Sequence, residues 1–180
     1  GTSIKNIISS GSTTLYAKWG TPTCTVTNGS ATVATTVDNK PTCAVTCTDG
    51  YHVGSSGTTK TGTYSGTAGQ TSYSYTCSGN AITLSWANGG RGTAPTSPAS
   101  CTYGNTFTTP AAMTATGYTF NKWSVNSKTF SAGTSVTCNS TNLGVTSGTA
   151  TITGTWTANT YTVTYKAGTG GSGSDQTQSV

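Results

Sequence analysis

The chain has 180 residues, a formal net charge of +5 and only 6% charged residues, and Thr makes up a quarter of it; soluble domains usually carry about 25% charged residues. The eight Lys and Arg are scattered without a basic run, which argues against nucleic-acid binding, and no stretch approaches the ~20 apolar residues of a transmembrane helix. Acids are limited to Asp38, Asp49 and Asp175 and histidine to His52, too few and too scattered for a carboxylate pair, a Ser-His-Asp triad or a calcium site.

Low charge with abundant Gly and Ser also suits disorder. Against that, Tyr, Trp, Val and Ile recur at alternate positions, and Thr and Tyr favour pleated, half-buried surfaces. A mainly β chain is expected. The scattered cations read as solubilising groups, with weak attraction to acidic glycans or cell-wall polymers as the alternative.

Residues 1–19 hold Gly1-Thr-Ser-Ile4, a turn near Ser10-Gly11-Ser12 and a strand Thr14 to Trp19. Residues 20–80 alternate in Thr23 to Thr27, Ala31 to Val37 and Tyr73 to Cys77, with a turn signal at Asp38-Asn39-Lys40-Pro41. This segment carries Cys24, Cys43, Cys47 and Cys77. A zinc site would show two close ligand pairs; only Cys43 and Cys47 are close, so disulfides are expected. Four cysteines allow three pairings, and Cys24–Cys47 with Cys43–Cys77 is the working one. A segment this poor in Leu, Ile and Phe needs such staples.

Residues 81–157 open on Ile82-Thr-Leu84-Ser-Trp86 and a permissive loop, Asn88-Gly89-Gly90-Arg91-Gly92. A phosphate-binding reading of that loop would need a following helix, and Pro95 and Pro98 forbid a regular one. Strands are expected at Thr102 to Phe107, Tyr118 to Val125, Thr134 to Cys138 and Ala150 to Trp156, with Pro110 to Ala115 a helical turn or irregular. Cys101 and Cys138 are expected to pair with each other. Residues 158–180 offer a strand Tyr161 to Tyr165, a flexible loop Gly168 to Ser174 and the start of another strand from Gln176.

Parts of the chain repeat. Leu15-Tyr-Ala-Lys-Trp19 reads like Ile152-Thr-Gly-Thr-Trp156, and Gly1 to Ile4 reads like Gly133 to Val136. Tyr161-Thr-Val163-Thr-Tyr165 reads like Ile82 to Trp86, 79 residues earlier. An internal period of this kind governs the fold. The expected organisation is therefore the C-terminal part of one repeat (1–19), a Cys-rich β module (20–80), a complete repeat (81–157) and the N-terminal part of another (158–180). Such broken copies predict a segment of, or a protomer within, something longer.

Four motifs in order, Trp86-Ala-Asn-Gly-Gly90, Tyr103-Gly-Asn-Thr-Phe107-Thr-Thr-Pro110, Gly117-Tyr-Thr-Phe-Asn-Lys-Trp123 and Ile152 to Trp156, resemble the bacterial surface modules known as Listeria–Bacteroides repeats, or internalin-type B-repeats. The resemblance covers about 75 residues and the two partial copies. Residues 20–80 and the cysteines Cys101 and Cys138 depart from it. It implies a small β-grasp-like sheet for each repeat, little or no helix, and a bacterial origin.

The expected role is a structural or adhesive segment of a cell-surface or extracellular protein (stalk, filament or adhesin), with no catalysis, cofactor or metal. Expected partners are neighbouring repeats or copies of the chain itself, with glycans or host surface proteins beside them; neither nucleic acid nor a membrane span in this segment is expected. Six paired cysteines imply an oxidising compartment. The alternative is a carbohydrate-binding module that grips sugars with exposed Tyr and Trp. Recurring positions such as Trp19 and Trp156 favour the core for the repeat's aromatics, leaving Tyr64, Tyr73 and Tyr75 as the candidate ligand surface.

Overall fold

The computed structural model describes residues 21–37, 40–55 and 57–180. The expected strand Thr14 to Trp19, the expected partial repeat 1–19 and the turn at Asp38-Asn39 lie outside the described residues. The chain is mainly β.

Seven strands come from the Cys-rich segment: β1 (Thr23–Thr27), β2 (Gly29–Val37), β3 (Lys40–Cys47), β4 (Tyr51–His52), β5 (Thr61–Ser65), β6 (Ser72–Thr76) and β7 (Ser78–Gly79). An antiparallel sheet β2-β3-β5 faces a parallel pair β1–β6, and β4 pairs with β7. Alternation along β3 buries Cys43, Val45 and Cys47, and Val53 and Cys77 join them. Half-buried Tyr51, Tyr64, Tyr73 and Tyr75 pack against this small centre.

The disulfides here are Cys24–Cys43 and Cys47–Cys77, with Cα separations of 6.0 and 5.8 Å. The working pairing, Cys24–Cys47 with Cys43–Cys77, is corrected. Its failure follows from strand direction. Cys24 is level with Tyr73 in the parallel β1–β6 ladder, so Cys77 lies four residues beyond the level of Cys24. Cys47 lies four residues beyond Cys43 on β3, or about 13 Å of extended chain. Cysteines at like ends meet, and crossed pairing would have to span the length of the strands.

The second unit contains β8 (Ala81–Ala87), β9 (Ser100–Thr102), β10 (Thr106–Thr108), β11 (Tyr118–Val125), β12 (Lys128–Phe130), β13 (Ser135–Thr137), a one-turn helix α1 (Ser140–Leu143) and β14 (Gly148–Ala158). Five strands form one sheet in the order β12-β11-β14-β8-β9, with β14 and β8 parallel at its centre; β10 and β13 pair separately. Period-2 burial of Ile82, Leu84 and Trp86 on β8 meets Ala150 and Ile152 on β14. Phe107, Trp123, Val125, Val136 and Leu143 complete the core. Cys101 and Cys138 bond at a Cα separation of 6.2 Å, as expected.

Local details differ from the sequence reading for identifiable reasons. The single strand expected from Thr102 to Phe107 is two strands, because Tyr103-Gly104-Asn105 forms a turn: the Asn105 N–H donates to the Thr102 carbonyl at 3.0 Å, and Gly104 has φ 90°. That φ favours glycine, and the Gly104 N–H donates to the Cys138 carbonyl at 2.8 Å. Strand β12 was not anticipated; Asn126 and Ser127, with φ of 46° and 58°, make the two-residue turn that reverses β11 into it. Helix α1 is a single turn capped by Asn139, whose Oδ1 accepts from the Asn142 N–H at 2.9 Å.

The three tryptophans of this unit hold its loops. Their indole N–H groups donate to the carbonyls of Pro98 (from Trp86, 2.7 Å), Pro110 (from Trp123, 3.1 Å) and Asn88 (from Trp156, 2.7 Å). A buried indole needs such a partner, and here each partner is a loop backbone that lacks a strand neighbour. The β11 bulge between Phe120 and Trp123 is satisfied by Thr155, whose hydroxyl receives the Lys122 N–H and donates to the Lys122 carbonyl. Gly154 on β14 leaves room for Met113 and Phe120; a Cβ there would lie 2.3 Å from the Met113 methyl.

Asn80 rivets the two units. It is 5% exposed, and all its polar groups are used. Its Oδ1 lies 2.9 Å from His52 Nδ1, and its Nδ2 donates to the Thr146 carbonyl at 2.9 Å. Its backbone N–H donates to Gly50, and its carbonyl accepts from the Tyr103 N–H. Because the Thr146 carbonyl only accepts, the amide orientation is fixed, and His52 must carry its proton on Nδ1. Asn80→Ala orphans the buried His52 Nδ1 in one unit and the half-buried Thr146 carbonyl in the other, and is expected to cost about 1–3 kcal/mol. Chemical denaturation followed by tryptophan fluorescence checks this; an unchanged midpoint would show that the rivet is dispensable.

Beyond β14, a hairpin of β15 (Thr162–Tyr165) and β16 (Gln176–Ser179) stands apart from both cores. Tyr161 and Val180 extend it by exchanging backbone hydrogen bonds of 2.8 Å. In the earlier hairpin Ile82 faces Cys101. Both positions recur 79 residues later, so the second hairpin repeats the register of the first.

Candidate functional site

The candidate ligand surface contains Tyr64 on β5 and Tyr73 and Tyr75 on β6. Tyr73 and Tyr75 share one side of β6 by the two-residue period. The structure brings Tyr64 and Tyr75 together as a stacked pair with ring centroids 4.2 Å apart and an interplanar angle of 28°. The three rings are half-buried against Cys43, Val45 and Cys77 rather than open. One face of each stacked ring is therefore occupied by the other. The Tyr75 hydroxyl accepts from the Gly54 N–H at 2.8 Å, which ties the 53–55 loop to β6.

Tyr73 is placed differently. It lines an open groove with Ser65, Gly66, Thr67, Gln70, Ser72 and Ser74. The Gln70 side-chain carbonyl accepts from the Thr67 N–H, which shapes the turn at one end. This lining offers hydroxyl and amide groups beside one aromatic edge, chemistry suited to neutral polar ligands such as sugars.

The Tyr64 phenol is held above its ordinary range, chiefly by a hydrogen bond with Tyr75, then by burial and by the charges that Tyr75 and Tyr73 would develop. A raised phenol favours the neutral folded form, so its contribution to stability is complete below pH 10.0, the ordinary value, and is lost as pH climbs through the folded-state value. Titration of tyrosinate absorbance is expected to show one late-ionising phenol, and Tyr75→Phe should bring it forward. A titration curve unmoved by Tyr75→Phe would remove Tyr75 as the cause.

His52 lies at the junction, where the sequence alone gave no reason to place it. It lines a cleft with Ser55, Ser78, Gly79, Ala81, Ser147 and Gly148 that opens between the two units. The residue that orients it is an amide, Asn80, and not a carboxylate. Of the acids, Asp49 forms an exposed ion pair with Lys60, which contributes little to stability. Among the described residues, no group of three or more His, Cys, Asp or Glu side chains is gathered as a metal site would require. All six cysteines are in disulfides.

In the second unit the aromatics serve the core. Trp123 is fully buried and Trp86 and Phe107 are buried, while Tyr103, Phe120 and Trp156 are half-covered. Trp86 and Trp123 meet edge to face at 5.0 Å, and Phe120 and Trp156 do so at 5.4 Å. Arg91 of the glycine loop lies over the Tyr118 ring, 3.7 Å from its centroid, which fixes the loop rather than offering a free cation. Sequence reasoning missed Asn80 altogether: a lone Asn between two strands carries no motif. No helix among the described residues is long and apolar enough to cross a membrane. Compared with known protein families, curated proteins and solved structures, the chain matches none.

Proposed function

We propose that the chain is a structural or adhesive segment of an extracellular or cell-surface repeat protein of the internalin B-repeat type, a stalk, filament or adhesin without catalysis. The observation that carries this reading is the recurrence of the β8–β9 hairpin as β15–β16, in the same register, 79 residues later. A chain that rebuilds the opening hairpin of its own sheet has the organisation of a modular array. Three disulfides support an oxidising compartment. Threonine-rich outer faces, in which hydroxyls bond across strands as between Thr157 and Asn121, suit a chain whose work is to persist and to present a surface. The test is antibody labelling of intact cells that produce the chain. Labelling without permeabilisation is the expected result; labelling that requires permeabilisation rejects the reading.

The second reading is a carbohydrate-binding module, and the groove at Tyr73 favours it. Titration of a panel of neutral glycans with the intact chain decides between the two. Under the structural reading no saturable binding appears at the Tyr73 groove. Saturable binding that shifts the Tyr73 ring resonances of the intact chain would establish the second, since it leaves the packed ring in place.

A further inference from the structure

Thr93-Ala94-Pro95-Thr96-Ser97-Pro98 crosses from β8 to β9 without regular secondary structure. Proline fixes its own φ at about −65° and has no N–H, and it confines the residue before it to extended backbone. Pro95 and Pro98 therefore hold the segment open along most of its length. Both ends are fastened. Asn88 Nδ2 donates to the Gly92 carbonyl at 2.9 Å, and the Trp86 indole N–H donates to the Pro98 carbonyl at 2.7 Å. One residue further on, the Ala99 carbonyl accepts from the Leu84 N–H and returns the chain to the sheet.

The side chains of the segment sort by chemistry. Ala94, Pro95 and Pro98 are half-buried against the unit, whereas Thr93, Thr96 and Ser97 are exposed. Among the described residues, none of these three hydroxyls has a hydrogen-bond partner, and neither has any backbone N–H from Thr93 to Ser97. Hydroxyls elsewhere in the unit are differently placed. Those of Thr109 and Thr155 donate to the Ser131 and Lys122 carbonyls. Thr149 and Thr151 stand on β14, whose backbone is committed to the ladder with β8. In the neighbouring loop Thr116 sits inside a turn that the Tyr118 N–H closes on the Ala115 carbonyl, and the Thr114 carbonyl lies against Gly92, where a Cβ would be 2.6 Å from it.

We propose that Thr93, Thr96 and Ser97 are sites of O-linked glycosylation. Ser- and Thr-rich sequence broken by Pro is the composition of O-glycosylated stalks. The fold adds what a glycosyltransferase requires: acceptor hydroxyls that face solvent, on main chain free to lie extended in an enzyme cleft. In the transfer a hydroxyl oxygen attacks the anomeric carbon of a phosphate-activated sugar. The new C–O bond forms as the bond from that carbon to the phosphate oxygen breaks. The phosphate leaves with the electron pair, and the hydroxyl proton passes to the transferase's base. Neutral sugars at this end of the sheet hydrate a chain in which only 6% of residues are charged.

The experiment uses the full chain isolated from the cells that produce it. After reduction and tryptic cleavage, the peptide from Gly92 to Lys122 is fragmented by electron transfer. Whole hexose or N-acetylhexosamine increments are expected on it, with fragment ions placing them on Thr93, Thr96 or Ser97. The peptides from Thr61 to Arg91 and from Thr129 to Lys166, which carry β8 and β14, are expected at bare mass. A triple variant, Thr93→Ala with Thr96→Ala and Ser97→Ala, made in the same cells should lose every increment from its 92–122 peptide. Its melting temperature should match that of the enzymatically deglycosylated parent, because the three hydroxyls hold nothing in the fold. A parent 92–122 peptide at bare mass overturns the proposal. So do increments that persist on that peptide in the triple variant, sugar as abundant on the strand threonines as on the loop, or a phosphate increment alone.

Discussion

Trp123→Ala is expected to unfold the second unit near physiological temperature while leaving the three disulfides formed. Trp123 is 0% exposed and touches Trp86 and Phe120, each at a centroid distance of 5.0 Å. Its removal opens a cavity at the crossing of β11, β8 and the 110–113 loop. Truncating a buried Trp costs about 3–5 kcal/mol, and a further loss comes from the Pro110 carbonyl, which gives up its indole donor. A domain of this size holds roughly 5–15 kcal/mol in total, so one substitution consumes much of it. Each kcal/mol moves the melting temperature of a small domain by about 4–8 °C, which predicts a fall of roughly 15–30 °C. Near-ultraviolet circular dichroism measures it, since Trp86, Trp123 and Trp156 dominate that signal. Trp123→Phe should fall between the two, because it keeps most of the volume and loses only the indole bond. A melting point within a few degrees of the parent in Trp123→Ala would show that the ring is not central to the packing.

Much of this unit was legible because alternation is a local signal. Ile82-Thr-Leu84-Ser-Trp86 announces a strand with one buried side, and Tyr118 to Val125 was bounded correctly by Gly117 before it and Asn126 after it. The Cys101–Cys138 bond was legible because both cysteines fall in one unit. Registers and directions were not. Nothing in the spacing of Cys24, Cys43, Cys47 and Cys77 records that β1 and β6 are parallel, and the pairing depends on that direction alone. The split of the expected strand 102–107 was hidden because Tyr103 and Phe107 are in phase as on one strand; Gly104-Asn105 between them is the turn signal. Asn80 was invisible because its role is set by four partners separated from it by 23 to 66 residues. The tyrosine surface was half legible. Alternation placed Tyr73 and Tyr75 on one side of β6, but the rings turned toward a core too small to close without them.

That smallness sets the last expected result: reduction should unfold the first unit and spare the second. Among the described residues the buried aliphatic side chains of the first core are Val45 and Val53, beside Pro41, its cystines and half-buried tyrosines. The second has Ile82, Leu84, Trp86, Phe107, Trp123, Val125, Val136, Leu143 and Ile152. The two cystines of the first unit close stretches with sequence separations of 19 and 30. The stretches follow one another without overlap, so their effects on the unfolded chain add. In the chain-entropy picture each is worth about 3–4 kcal/mol, and together about 6–7, comparable with the entire stability of a small domain. The second unit loses one cystine of separation 37, again about 4 kcal/mol, from a core several times richer in buried apolar side chains. Hydrogen exchange under a phosphine reductant separates the cases. Amides of β3 and β6 should lose protection, whereas those of β8 and β14 keep it. The pairwise variants Cys24→Ser with Cys43→Ser, and Cys47→Ser with Cys77→Ser, should each lower the first unit's stability by about half the combined amount. Protection of the Val45 and Tyr75 amides surviving full reduction would show that the tyrosine packing alone sustains the first unit, and the cystines would then have to be explained by something other than stability.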